Sequence, residues 1–173
     1  TSLWELSTGG QLAEAREWLE RLPPELLAGD VQLRLVAASI LAFSDRNAEA
    51  QRYARTVLDD PTTGPEAMVM ALRIAVGAAA FVDQLDQLPP LLSRWPRPQE
   101  IPGVPLYSVT HLNARALVAL HAGETVQARE CIAEAAEHGD EGSLRLAAGF
   151  GRMLLGLSHL WDGDAYLAES VLR

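Results

Sequence analysis

Asp45-Arg-Asn-Ala-Glu-Ala50 sets a turn against the start of a helix, and the same arrangement returns along the chain. It appears earlier as Gly10-Gln-Leu-Ala-Glu-Ala15 and later as Gly123-Glu-Thr-Val-Gln-Ala128 and Gly163-Asp-Ala-Tyr-Leu-Ala168. A degenerate copy, Ala80-Phe-Val-Asp-Gln-Leu85, lies between the second and third. The anchors Ala15, Ala50, Leu85, Ala128 and Ala168 are separated by 35, 35, 43 and 40 residues. Periods of this size belong to helix-pair repeats, near the ~34 residues of tetratricopeptide units and the ~40–47 of longer two-helix units.

Twelve residues before each later anchor stand Ala38, Arg73, Ala116 and Gly156. Three of these are small, which lets the first helix of a pair lie close against the second. Around them Ala and Leu are dense, β-branched residues are thin, and apolar positions recur at helical spacing. The reading is therefore all-α: a tetratricopeptide-like right-handed superhelix of antiparallel helix pairs. First (A) helices are expected at 31–44, 65–82, 106–122 and 143–161, and second (B) helices at 10–22, 47–59, 84–95 and 124–138. A ninth helix begins near 164, and residues 2–7 read as the tail of a further A helix.

Several boundaries carry their own chemistry. Asp30 suits an N-cap, Pro65 a first helical turn, Gly139 a stop after Glu137-His138, and Gly142-Ser143-Leu144 another N-cap. Pro89-Pro90 either delays the third B helix to about residue 88 or kinks it. Six of the ten prolines fall between Pro89 and Pro105, so Pro96 to Pro105 is read as one long inter-repeat loop. A loop of that length also fits a lip over a groove. Because the repeat resumes beyond it, the expectation is a single domain over residues 1–173. The chain opens on Thr1-Ser2-Leu3-Trp4 without Met and stops at Leu172-Arg173, which reads as a fragment of a larger multi-domain protein.

Composition excludes several chemistries. Net charge is −9, and all 14 basic residues are Arg. Without Lys there is no G-x-x-x-x-G-K-[ST] phosphate loop and no Schiff-base or catalytic Lys. An acidic chain with no basic cluster is a poor match for nucleic acid, whose binding is driven by phosphate neutralisation. Cys131 is the single cysteine, so no internal disulfide forms, which suits a reducing cytoplasm. The longest apolar run, Ala67 to Val82, is interrupted by Arg73 and falls short of the about 20 residues of a membrane span.

No H-E-x-x-H, paired Cys or G-x-S-x-G occurs, and His111 and His121 are ten residues apart on one helix, pointing to different sides. No metal, cofactor or catalytic residue is expected in this chain. Glu14, Glu17 and Glu20, like Glu130, Glu134 and Glu137, form solvated helix faces. The A helices are more informative, since in helical solenoids they line the concave side that commonly binds ligands. They mix polar residues into apolar surroundings: Gln32, Arg34 and Ser39, then Tyr107, Thr110, His111 and His159, and the set chosen as candidate ligand-binding residues. Those are Arg73, Asn113, Arg115, His121, Arg152 and Trp161, with Trp161 as an apolar or stacking wall and the others as hydrogen-bonding or charge-pairing groups.

The most distinctive segment is Trp18-Leu-Glu-Arg-Leu-Pro-Pro-Glu-Leu-Leu27, followed by a leucine-rich A helix that closes on a turn and Ala-Glu-Ala50. It resembles the MalT-like family, large ATP-dependent bacterial transcriptional regulators of the LuxR type. The resemblance implies a nucleotide-binding switch module, a winged helix, a helical repeat region like this chain, and a C-terminal helix-turn-helix that binds DNA. It also implies that a small-molecule inducer or a regulatory protein docks on the repeat region and favours a self-associating active form. ATP and DNA would then be held elsewhere in the full-length protein. The chain alone would be a cytoplasmic, non-enzymatic sensor module, or else a generic protein-interaction scaffold.

Overall fold

The computed structural model describes residues 11–96, 105–139 and 142–173, and the chain divides into two compact units, Thr1–Ile101 and Pro102–Arg173. The Gly10 turn, residues 2–7 and the proline-rich stretch 97–104 lie outside the described residues. Every regular element among the described residues is helical.

The first unit contains α1 (Leu12–Arg21), α2 (Pro24–Gly29), α3 (Val31–Phe43), α4 (Asn47–Leu58), α5 (Pro65–Phe81), a 3-10 turn at Leu85–Gln87 and α6 (Leu88–Ser93). The second contains α7 (Pro105–His121), α8 (Thr125–Ala136), a 3-10 turn at Gly142–Leu144, α9 (Arg145–Trp161) and α10 (Ala165–Leu172). The sequence places nine of these helices to within a few residues, α10 by its start alone, and misses α2. Pro24 occupies the first turn of α2, where its missing N–H costs nothing, and Leu27 is buried. Pro89 and Pro90 likewise sit in the first turn of α6, so the third B helix starts late and is not kinked.

Helix starts follow local chemistry. Asp30 caps α3, its Oδ1 accepting from the backbone N–H of Gln32 at 2.7 Å and of Leu33 at 3.1 Å. Asp164 caps α10 by accepting from Leu167 N–H at 2.9 Å. Gly142-Ser143-Leu144 forms a 3-10 turn, and α9 begins one residue later without a side-chain cap.

Four helix ends share one geometry. Asp45, Asp83, Gly123 and Gly163 all have positive φ, between 57° and 83°. In each case the next residue donates its N–H to the carbonyl five positions back: Arg46 to Leu41, Gln84 to Ala79, Glu124 to Ala119 and Asp164 to His159, at 2.8–2.9 Å. This is the left-handed C-terminal motif that satisfies orphan helix carbonyls. The next helical element begins one residue further on every time.

That geometry corrects the register of the degenerate copy. Asp83, not Ala80, is equivalent to Asp45, Gly123 and Gly163, because the turn is defined by its left-handed residue. The anchor five residues on is then Leu88, which is fully buried, whereas Leu85 is only partly so. Anchors Ala50, Leu88, Ala128 and Ala168 are spaced 38, 40 and 40 residues apart, and all are buried. Val76 replaces Arg73 at the position twelve residues earlier.

Packing has the same plan within each unit. In the first, α3 and α4 pair and α5 rests on both; in the second, α7 and α8 pair and α9 rests on both, with α10 returning along α9. The core of the first unit gathers Leu35, Ile40, Val57, Leu58 and Leu72 around the small residues Ala38, Ala50 and Ala54. That of the second is built on Ala116, Leu120, Ala128, Ile132 and Leu154. Small residues permit the close approaches, most sharply at Gly156, where an added Cβ would lie 2.9 Å from Leu172 Cγ.

Candidate functional site

Leu112, Asn113, Ala114 and Ala116 occupy the buried side of α7, so Asn113 enters the second unit's interior as the polar member of an apolar stripe. It is only 3 % exposed. Its Nδ2 donates to the backbone carbonyl of Ala147 on α9 at 2.7 Å, while Oδ1 is buried and accepts no hydrogen bond. One turn further along α9 stands Gly151, where a Cβ would come to 3.0 Å from that Oδ1. Any side chain at 151 would therefore press on the acceptor; glycine leaves a notch beside it.

Asn113 and Gly151 belong to the lining of a pocket of about 290 Å³ among α7, α8 and α9. Val109, Ile132, Ala135, Ala148 and Leu155 supply apolar wall, and Arg152 is the charged residue among the described lining. Of the six residues chosen from sequence, the structure thus brings Asn113 and Arg152 together. Arg115 is two residues from Asn113 on the same helix and is exposed on another side. His121 and Trp161 end α7 and α9 and are exposed, Trp161 at 61 %. Arg73 is partly buried in α5 of the first unit.

Sequence reasoning did not single out Gly151 or the apolar wall. The signal was the run Ala147-Ala148-Gly149-Phe150-Gly151, two alanines and two glycines on one helix, but which of them faces Asn113 depends on how α9 lies on α7. Three of the other polar A-helix residues are tied up within their own unit. Ser39 Oγ donates to Leu35 O at 2.9 Å and Thr110 Oγ1 to Leu106 O at 2.7 Å, both one helical turn back. Arg34 pairs with Asp60 at 3.1 Å. The acidic stripes are solvated as read, with Glu20 and Glu17 in loose surface pairs with Arg16, Arg21 and Arg46.

Ionisation follows burial and pairing. Burial pushes the His111 pKa down, with the Arg115 guanidinium adding to the effect, which favours the neutral imidazole. Burial likewise pushes the Cys131 thiol up, against a smaller opposing pull from Arg115. Cys131 is a buried packing residue in the Ala116–Leu154 cluster and not a poised thiolate. Among the described residues no cluster of three His, Cys, Asp or Glu side chains is placed to hold a metal ion. No helix among them is long and apolar enough to cross a membrane.

A second depression, of about 470 Å³, lies in the first unit between the start of α3 and residues 62–67. None of the six candidate residues lines it. No family model, no curated protein and no solved structure matches the chain.

Proposed function

We propose that this chain is an effector- or partner-binding helical-repeat domain of tetratricopeptide-like type, acting as the sensor region of a LuxR-type, MalT-like transcriptional regulator. The observation that carries the repeat reading is the shared turn at Asp45, Asp83, Gly123 and Gly163 with its buried anchor five residues on. A chain that repeats one packing unit gains an extended surface whose pockets lie between neighbouring helices, which is how such arrays bind. The pocket at Asn113 and Arg152 is the place where this chain offers a polar group in an apolar recess, the usual make-up of a small-molecule site. The regulator assignment rests on the Trp18 to Leu27 segment and its continuation to Ala50.

In this reading an effector held against α7 and α9 favours one arrangement of the helix pairs over another. Its differential affinity for the two arrangements is the only energy available to bias a nucleotide-dependent switch elsewhere in the protein. ATP and DNA are bound by other modules, and this domain performs no catalysis.

Two measurements test it. The open reading frame containing these codons is expected to encode a nucleotide-binding loop upstream and a helix-turn-helix downstream; a frame with neither overturns the regulator assignment and leaves a generic interaction scaffold. A thermal-shift screen of metabolites against the domain is expected to give specific stabilisation. Silence from metabolites, with a cellular protein held tightly instead, replaces the small effector by a protein partner.

A further inference from the structure

Leu160 and Leu172 are 50 % and 56 % exposed, whereas the residues forty positions earlier, Leu120 and Ile132, are 1 % and 6 % exposed. The difference lies in what packs on each helix pair. On α7 and α8, Ala116, Leu120, Ala128, Cys131 and Ile132 form one apolar cluster with Leu154, which α9 contributes as it lies across both helices. The counterparts of those five on α9 and α10 are Gly156, Leu160, Ala168, Val171 and Leu172, again apolar or small. Leu117, packed against the cluster, has the exposed Leu157 as its counterpart. The comparison also sorts the exposed apolar residues. Trp161 and Tyr166 correspond to His121 and Val126, which are exposed even though α9 covers their pair, so they lie outside this face.

The two covering helices are alike. α9 carries Ala147, Gly151, Leu154 and Ser158 at i, i+4, i+7 and i+11, which places them on one side of the helix. Ala147 O accepts from Asn113, Gly151 lies against the same carboxamide, and Leu154 and Ser158 are fully buried. In the first unit α5 covers α3 and α4 with Ala67, Ala71, Ile74 and Ala78 at the same spacing, all in or against that unit's core. Each covering helix is also the next long helix along the polypeptide. It starts after a connection of six residues (59–64) or eight (137–144). Its Leu or Ile falls 16 or 18 residues past the end of the helix before it (58 to 74, 136 to 154).

We infer that the face formed by Leu157, Leu160, Val171 and Leu172 seats one further helix of this type, supplied by the polypeptide that follows α10 and docked as α9 docks on α7 and α8. Its inner stripe reads small-x-x-x-small-x-x-[Leu/Ile]-x-x-x-small, the large residue meeting Leu160 and Leu172. The small residues follow from the precedent of Gly151 and Ala71, which let a covering helix come close to the pair beneath it. The apolar area of Leu157, Leu160 and Leu172 withdrawn from water drives the docking. Sequence adjacency selects the occupant, since both covering helices in this chain directly succeed the pair they cover.

The reading frame beyond Arg173 is the first test. Sixteen to eighteen residues past Leu172 it is expected to encode Leu or Ile, with small residues seven and three positions before it and four after. A frame that stops, or continues without that stripe, overturns the inference. The second test uses the protein extended through that helix. Cys131 is the single cysteine and is buried, so a cysteine placed elsewhere reports its own accessibility, and Cys131 reacting would reveal a misfolded variant. Leu160→Cys and Leu157→Cys are each expected to react with a thiol reagent about tenfold or more slowly in the extended chain than in the 173-residue chain, while Tyr166→Cys reacts equally in both. Equal rates at Leu160→Cys and Leu157→Cys in the two chains overturn the inference. Protection that grows with the concentration of the extended chain gives the face to a second copy and overturns it as well. Each outcome leaves the effector pocket and the regulator assignment standing, because those are read from the metabolite screen and from the nucleotide-binding and helix-turn-helix modules.

Discussion

Gly149 and Gly151 lie two residues apart on α9 and so face different sides of the helix. A Cβ on Gly149 meets nothing within 4 Å, whereas one on Gly151 meets Asn113 Oδ1 at 3.0 Å. Glycine inside a helix costs roughly 0.5–1 kcal/mol relative to alanine. Gly149→Ala is therefore expected to stabilise the fold by about that amount, and Gly77→Ala in α5, also in open space, to do the same. Gly151→Ala gains the same helix propensity but crowds an oxygen that cannot swing away without giving up the bond to Ala147. Urea denaturation should place it about 1 kcal/mol or more below Gly149→Ala. Equal stability of the two variants would show that the Asn113 side chain is loosely held.

Helix pairs are joined by turns whose left-handed residue sets where the next helix begins, and that register decides which side chain is buried. Leu88→Ala is expected to cost about 2–5 kcal/mol, as for a buried leucine, and Leu85→Ala clearly less. The reverse order in chemical denaturation would restore the anchor at Leu85. At the junction of α8 and α9, Asp162 accepts from Arg129 at 2.7 Å and Thr125 at 2.9 Å. Those two bonds, Arg129 first, hold its carboxyl below the usual carboxylate range. A lowered folded-state pKa adds stability that is full above the unfolded value of about 3.9 and is lost as pH falls through the folded value. Wild type is accordingly expected to exceed Arg129→Met in stability at pH 5–7, with the gap closing below about pH 4. A gap that persists into acid would assign the effect to packing of the arginine stem.

Across the whole molecule the 40-residue offset between α7 and α9 maps Asn113, Leu117 and Leu120 onto Met153, Leu157 and Leu160. The α7 members are buried or partly buried within the second unit; the α9 members are exposed, as are Leu146, Trp161, Tyr166 and Leu172. Exposed apolar side chains in this number promote association where they adjoin one another. Replacing Met153, Leu157 and Leu160 together by Gln is expected to leave the melting temperature nearly unchanged while reducing hydrophobic-dye binding and concentration-dependent association. A large drop in melting temperature would mean that those side chains carry core packing after all.

How far each scale is legible follows from what sets it. Helix positions could be read because period, caps and prolines are local: Asp30, Pro65 and Gly139 act on neighbours within one turn. The degenerate turn was misplaced because the residue five on from Asp83 is Leu88, where the other three turns have an alanine, so neither a glycine nor a small anchor marks its register. Of the candidate site, Asn113 and Arg152 were visible as polar residues in apolar helices, while Arg73, Arg115, His121 and Trp161 were equally visible and are not gathered into this pocket.

The sequence by itself determined an all-helical chain, the approximate ends of most of its helices and the recurring turns at Asp45, Gly123 and Gly163, since each depends on residues close together along the chain. Only the tertiary structure decided that Asn113 meets Ala147 and Gly151 across more than thirty residues, leaving one acceptor unpaired beside a notch. The physical reason is that the rotation of one helix against another is set by many packing contacts at once, and no single stretch of sequence carries that sum.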